Sequence, residues 1–402
     1  MTTQTWQRNL YLLWTAQFVL LMGTSMVIPF LPLYVEQLGV HAISRVELWS
    51  GAIFSVSFLL AALVSPLWGH LADRRGRKIM VVRSGLALAL ANALMAAATS
   101  PLELLLLRAF LGLFAGFLPA AVALVASAAP RERLGWALGI LQTGAVAGSV
   151  SGPLLGGVLA DTVGLRSVFL ITAGLCLAAS LLVVWQVREH FHPAPPARRA
   201  GPGFAAPLRQ PALRAMFLVF FTSQFAVMSA EPIIAVYVRT MYHDPRLLAT
   251  VAGAVFAMVG VGNVLASPFL GRRSDRLGYR RVLLISLAGA ALFYLPQALA
   301  VGPFQLGAMR LFAGAFVGGI IPTANALVGR FSLEGQQGGS YGLTSSAFFL
   351  GNVVGPLAGA GIAASWGIRW VFPVTSLLLL ANAWWVWHAV REPVAASDPA
   401  HP

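Results

Sequence analysis

The chain has 402 residues, 58% of them apolar and only 10% charged, with a mean hydropathy of +0.78. A soluble domain carries about 25% charged residues, so an ordinary soluble globular fold is excluded. The net charge of +14 would suit a nucleic-acid partner, but the basic residues are sorted by position along the chain, and no nucleic acid is expected. Apolar stretches predict membrane-spanning helices at 10–35, 48–68, 79–98, 102–124, 136–160 and 166–187. A second series follows at 213–239, 248–270, 281–300, 304–328, 339–363 and 368–390. Most meet the roughly 20-residue length that a spanning helix needs. The first is too long for a signal-peptide core and runs on into Pro29 and Pro32, so it reads as a retained helix. Thr99-Ser100-Pro101 separates the third and fourth. Between the two series, 188–212 contains the Pro-rich, basic run His192 to Arg199 and reads as a solvated linker. The fold class is therefore an all-α polytopic membrane protein, with six-helix units at 1–187 and 213–402 and a short polar tail.

With an even number of spans both ends share one side. That side holds Arg74, Arg75, Arg77, Lys78, Arg272, Arg273, Arg276, Arg280 and most other basic residues, whereas the opposite side holds only Arg45, Arg166, Arg239, Arg246 and Arg369. The positive-inside bias makes the first side cytoplasmic. The basic charge then serves topology and contact with anionic lipid. Cys176 is the only cysteine, so no disulfide framework is possible, and the seven histidines show no ligand spacing, so no metal site is expected.

The second half repeats the first at an offset of about two hundred residues. Gly69 through Lys78 returns as Gly271 through Arg280; Gly148, Gly152-Pro153 and Gly156 return as Gly351, Gly355-Pro356 and Gly359. Arg108, Gly112 and Gly116 return as Arg310, Gly314 and Gly318; Pro29 and Tyr34 return as Pro232 and Tyr237. Six spans separate equivalent points, so the repeat is parallel, about an axis along the membrane normal. Two similar membrane halves that rock against each other are the architecture of alternating access.

The run Gly69-x-x-x-Asp73-Arg74-x-Gly76-Arg77-Lys78 between spans two and three resembles the signature loop of the major facilitator superfamily. Gly148-x-x-x-Gly152-Pro153-x-x-Gly156-Gly157 resembles the antiporter motif of the twelve-span drug:proton antiporter group. Pro29 through Gly39, with Gly135 through Gly139, is similar to the MdtG-like branch of bacterial efflux pumps. The resemblance implies a bacterial inner-membrane transporter that works as a monomer, with no cofactor and the proton gradient as its energy source. Its partners would be protons, membrane lipid and an amphipathic small-molecule substrate. A metabolite symporter is the first alternative, disfavoured by the antiporter motif. An intramembrane enzyme would need a clustered nucleophile and base, which the spans lack. A channel would need a ring of selectivity residues, and none is evident.

The resemblance implies that the loop, and its degenerate copy with Gly271, Asp275, Arg276 and Gly278, latches the outward-facing state. Gly69 would let span two approach a neighbour, and Gly76 would permit the turn. Gly144, Gly148, Gly152 and Gly156 fall near one helix face, a smooth surface expected to pack on the second half and seal the cavity. Arg108 lies about seven residues into its span, hence about 10 Å deep, with Arg310 at the matching depth and Glu231 at a similar one. A charge in hydrocarbon costs at least about 3 kcal/mol, so each must face water or a partner. In the family fold these three would meet near one level of a central cavity, with Glu231 carrying the proton and Glu36 or Asp161 as fallbacks. The rival reading is a static ion pair locking two helices. Gln17, Thr24, Gln142, Gln224, Asn325 and Asn352 are candidates for hydrogen bonds to substrate, or for bonds between helices. Phe30 is a candidate for an apolar wall.

Overall fold

The computed structural model describes residues 3–130, 133–189, 210–332 and 337–390. Among them are twelve helices long and apolar enough to cross a membrane. The first six are α1 (Trp6–Gln37), α2 (Ile43–Ser65), α3 (Arg77–Ala96), α4 (Pro101–Ala128), α5 (Trp136–Val163) and α6 (Leu165–Gln186). The second six are α7 (Pro211–Met241), α8 (Leu248–Ser274), α9 (Tyr279–Leu299), α10 (Pro303–Phe331), α11 (Gly342–Trp366) and α12 (Ile368–Ala389). Most of the expected linker, the tail beyond Val390, and the side chains of Asp73 and Asp275 lie outside the described residues.

Packing follows the repeat. α1 lies on α5 and α6, and α3 on α6; α7 lies on α11 and α12, and α9 on α12. Each half forms its own bundle. The proline after Ile28 and the one after Glu231 lack an amide hydrogen, so both first helices pass through one 3₁₀ turn, at Ile28–Phe30 and Glu231–Ile233. Just beyond, the Tyr34 hydroxyl donates to the Met95 carbonyl (2.7 Å) and the Tyr237 hydroxyl to that of Gln297 (2.9 Å). The rings pack on Phe169 and Phe372 respectively. Each tyrosine so fastens the end of its first helix to the rest of its bundle. Gly76 (φ +96°) and Gly278 (φ +88°) make the α2–α3 and α8–α9 turns in a conformation that side chains disfavour.

One expected helix is not continuous. α4 consists of Pro101–Leu113 and Phe117–Ala128, broken at Gly116 (φ +128°). Pro119 cannot donate to the Ala115 carbonyl four residues back; an Arg83 guanidinium nitrogen does so instead, at 3.1 Å. The Trp68 indole N–H takes the Leu113 carbonyl at 2.7 Å, and the guanidinium stacks 3.4 Å from the Trp68 ring centroid. Arg83 therefore has a structural task beyond topology. The equivalent stretch of α10 is unbroken, with Pro322 inside it.

Candidate functional site

The two bundles meet through α2 on α11 and α5 on α8, with the far ends of α1 and α7 between them. All the interbundle bonds and close approaches named below lie on the face opposite the Arg74–Lys78 turn, here the far face. Asp161 at the end of α5 accepts the Ala249 (3.0 Å) and Thr250 (2.6 Å) amides at the first turn of α8. A carboxylate there suits both the unsatisfied N–H groups and the positive end of the helix dipole. Glu36 of α1 pairs with Arg239 of α7. A Cβ built on Gly157 would lie 2.6 Å from the Ala249 carbonyl oxygen, and one on Gly51 would lie 2.8 Å from that of Pro356. The far face is closed.

On the basic face the turns hold to their own bundles. Glu189 accepts the Arg77 (2.9 Å) and Lys78 (2.8 Å) amides, and Lys78 Nζ donates to the Val184 carbonyl. Arg280 bonds the Trp387 carbonyl. Arg74 and Arg276 are exposed. Among the described residues nothing lies within 4 Å of a Cβ placed on Gly69 or Gly271, so they show no close approach of the kind expected at Gly69. Leu63 of α2, Leu67 in the continuation of the same helix, and Leu265 and Phe269 of α8 are exposed toward this end.

The four-spaced glycines of α5 correct a further expectation. Gly144, Gly148, Gly152 and Gly156 abut Trp14, Phe18, Ser25 and Met26, all on α1 of the same bundle. Gly351, Gly355 and Gly359 abut α7 in the same way. The contact with the second half comes from the neighbouring face instead: Gly157 on Ala249–Thr250, and the Pro153 carbonyl on Gly253.

Arg310 is fully buried. Its Nη2 donates to Glu231 Oε1 at 3.3 Å and its Nε to the Val255 carbonyl at 3.1 Å. Glu231 Oε2, Arg310 Nη1 and the Tyr294 hydroxyl are buried with no hydrogen-bond partner. Arg108 does not join them. It lies in α4 of the other bundle, makes no ion pair among the described residues, and its Nε is unpartnered. The three expected charges thus form a pair and a separate arginine.

Three of the six polar candidates, Gln17, Gln224 and Asn352, join helices. Gln17 bonds the Leu141 carbonyl (3.1 Å) across α1–α5, and Gln224 bonds Asn352 (2.8 Å) across α7–α11. Thr24 bonds its own helix at Leu20 (2.9 Å). Phe30 is buried at the α1–α8 seam beside Gly253. Gln142 is exposed, and Asn325 is half-buried on α10. Glu47, one residue outside the expected 48–68 span, is a buried acid at 2% exposure that hydropathy did not mark. Among the described residues no group of three or more His, Cys, Asp or Glu could hold a metal ion.

A family model described as Major Facilitator Superfamily matches residues 13–261 and 233–401. The chain belongs to the major facilitator superfamily. It is a secondary transporter of that superfamily, and its repeat, interbundle seams and turn motifs are those of a member. It is 42% identical over 390 residues to the multidrug resistance protein MdtG of Serratia proteamaculans (strain 568), covering 96% of this chain and 95% of that one. It is 41% identical over 389 residues to MdtG of Salmonella typhimurium (strain LT2), covering 96% of both. A bacterial homologue of the human lysosomal transporter Spinster has the same fold, with a TM-score of 0.80 at 15% identity over 97% of this chain and 98% of that one.

Proposed function

We propose that this superfamily member exports amphipathic small molecules in exchange for protons, as a monomer in the bacterial inner membrane with both termini cytoplasmic. The MdtG relatives, named as multidrug resistance proteins, support the substrate class. The placement of basic loops supports the orientation. Substrate enters from the cytoplasm or inner leaflet while the far face is closed. The bundles then rock, the Asp161 and Glu36–Arg239 contacts part, and the Asp73 and Asp275 turns latch the basic face.

The observation that carries the proton reading is the unspent hydrogen-bonding capacity around Glu231. A lock whose only task is to join helices would satisfy its polar atoms, because each buried orphan costs about 1–3 kcal/mol. Here a carboxylate oxygen, a guanidinium nitrogen and a tyrosine hydroxyl are all spare. Such a cluster has room for a proton on Glu231 while Arg310 keeps its bond to Val255. Arginine itself stays charged, so it modulates the carboxyl and does not carry the proton.

The test is uptake of a fluorescent lipophilic cation and of a weakly acidic drug into everted vesicles under an imposed pH gradient, for wild type and Glu231→Gln. Gradient-driven accumulation lost in a variant still recovered folded in the membrane supports both parts of the proposal. Accumulation that survives moves the proton to another acid. Movement of neither compound sends the substrate class back to metabolites.

A further inference from the structure

Glu47 sits in the second turn of α2 from the far face, on the seam that closes that face, and neither role above uses it. It is 2% exposed. One turn on, and therefore on the same side of the helix, Gly51 lies against Ala360 and the Pro356 carbonyl of α11. The 3₁₀ turn of α7 also touches α2. No hydrogen bond or ion pair among the described residues reaches Glu47: the two ion pairs are Glu36–Arg239 and Glu231–Arg310.

The neighbouring elements offer it no counter-charge. α11 has no ionisable residue between Gly342 and Trp366. On α7, Glu231 and Arg239 are engaged in those pairs, as is Glu36 on α1. On α4, Glu103 is bound to Thr99, and Arg108 makes no ion pair. On α2 itself Arg45 is exposed, as is His41 in the preceding loop. An ionised carboxylate without a partner is strongly disfavoured in an apolar seam, whereas the neutral acid is tolerated.

We propose that Glu47 is a proton-operated bolt on the far gate: the α2–α11 seam shuts only when Glu47 carries a proton, and its ionisation holds the seam open. This rests on the proton-coupled reading above but assigns a different proton, one that senses the far compartment and returns to it. The sign follows from linkage. The closed seam binds one more proton than the open seam, so acid favours closure and alkali favours opening. For an exporter facing an acidic exterior, this bolt commits the carrier to return once substrate has left.

The test is the distance between spin labels at exposed far-face positions, Ile43→Cys and Trp366→Cys, in a Cys176→Ser background in lipid nanodiscs between pH 5 and 8.5. Wild type should move from a short to a long distance as pH rises. Glu47→Gln and Glu47→Leu should stay short throughout, and Glu47→Asp should keep the shift. Both neutral variants remove an unpaired buried acid, so either suffices if the other is poorly recovered. A wild-type distance independent of pH overturns the proposal, as does an unchanged midpoint in the neutral variants. Glu231→Gln separates the two readings. A shift lost there but kept in the Glu47 variants assigns the response to Glu231 and refutes the bolt. A shift kept in Glu231→Gln but lost in the Glu47 variants supports the bolt whatever carries the transported proton.

Discussion

Replacing Glu231 by Gln tests whether the buried pair holds the second bundle together. At 3.3 Å and an effective dielectric of about 20, the attraction between Glu231 and Arg310 is about 5 kcal/mol before desolvation is subtracted. The amide keeps the shape but leaves Arg310 charged in a site with no exposure, and arginine cannot escape by losing its proton. Breaking one side of a buried pair typically costs about 3–5 kcal/mol. Removing both charges with Glu231→Gln/Arg310→Met should recover most of that loss, since no charge is then stranded. Thermal unfolding in detergent, followed by tryptophan fluorescence, reads the ranking: wild type and double variant close together, single variant well below. A single variant as stable as wild type would refute the pairing argument. The double variant has a second use. If it folds yet moves no substrate under a pH gradient, Glu231 has a proton role beyond joining helices. If it transports normally, the pair is a lock.

Asp161→Ala should weaken far-face closure by about 1–2 kcal/mol, the worth of a carboxylate on a helix N-terminus; a cysteine at Ala249, buried in wild type, should become more reactive to a membrane-impermeant thiol reagent. Gly156→Leu should block assembly, because a side chain there meets the Met26 backbone, whereas Gly174→Ala, with nothing within 4 Å, should gain up to about 1 kcal/mol in helix propensity; yield and melting temperature compare them. Arg83→Met should destabilise α4 by about 1–3 kcal/mol by orphaning the Ala115 carbonyl, and Pro119→Ala, which restores an amide donor, should make the loss smaller in a double-mutant cycle.

Spans and repeat were legible because hydropathy and motif spacing act locally along the chain. The Tyr34 and Tyr237 correspondence pointed to equivalent positions, and the two make equivalent bonds. The pairing of Glu231 with Arg310 was accessible as a matter of depth. Helix rotation and bundle membership were not, and they leave Arg108 out. Four-residue glycine spacing shows that some helix comes close without showing which. Gly148, Gly152 and Gly156 meet α1, and only the adjacent Gly157 meets the other bundle. The break in α4 was hidden because Gly116 with Pro119 resembles Gly318 with Pro322. What differs lies elsewhere in the chain: Arg83 and Trp68 cap the freed carbonyls, and the equivalent positions hold Ile285 and Leu270. Glu47 escaped notice because an acid just outside a hydropathy window reads as loop, while its burial depends on α11.

The repeat also explains why Arg108 is solitary, and it yields a further prediction. The 3₁₀ turn of α7 begins at Glu231 and the matching turn of α1 begins at Ile28, so the acid of the second bundle corresponds to an isoleucine in the first. Arg310 corresponds to Arg108, and Tyr294 to Asn92. The first bundle therefore keeps the basic member of the site without the acidic one. Ile28→Glu should supply the missing partner. Arg108 is partly rather than fully buried, so some solvent screening lowers the expected coupling to about 1 kcal/mol, below that at Arg310. A cycle over Ile28→Glu, Arg108→Met and the double variant measures it from melting temperatures, with Ile28→Gln as the neutral control. Ile28→Glu should be more stable with Arg108 present than with Met, and Ile28→Gln should not distinguish the two. Zero coupling would mean that the equivalent positions do not face each other, and the halves would then differ in helix rotation as well as in residues.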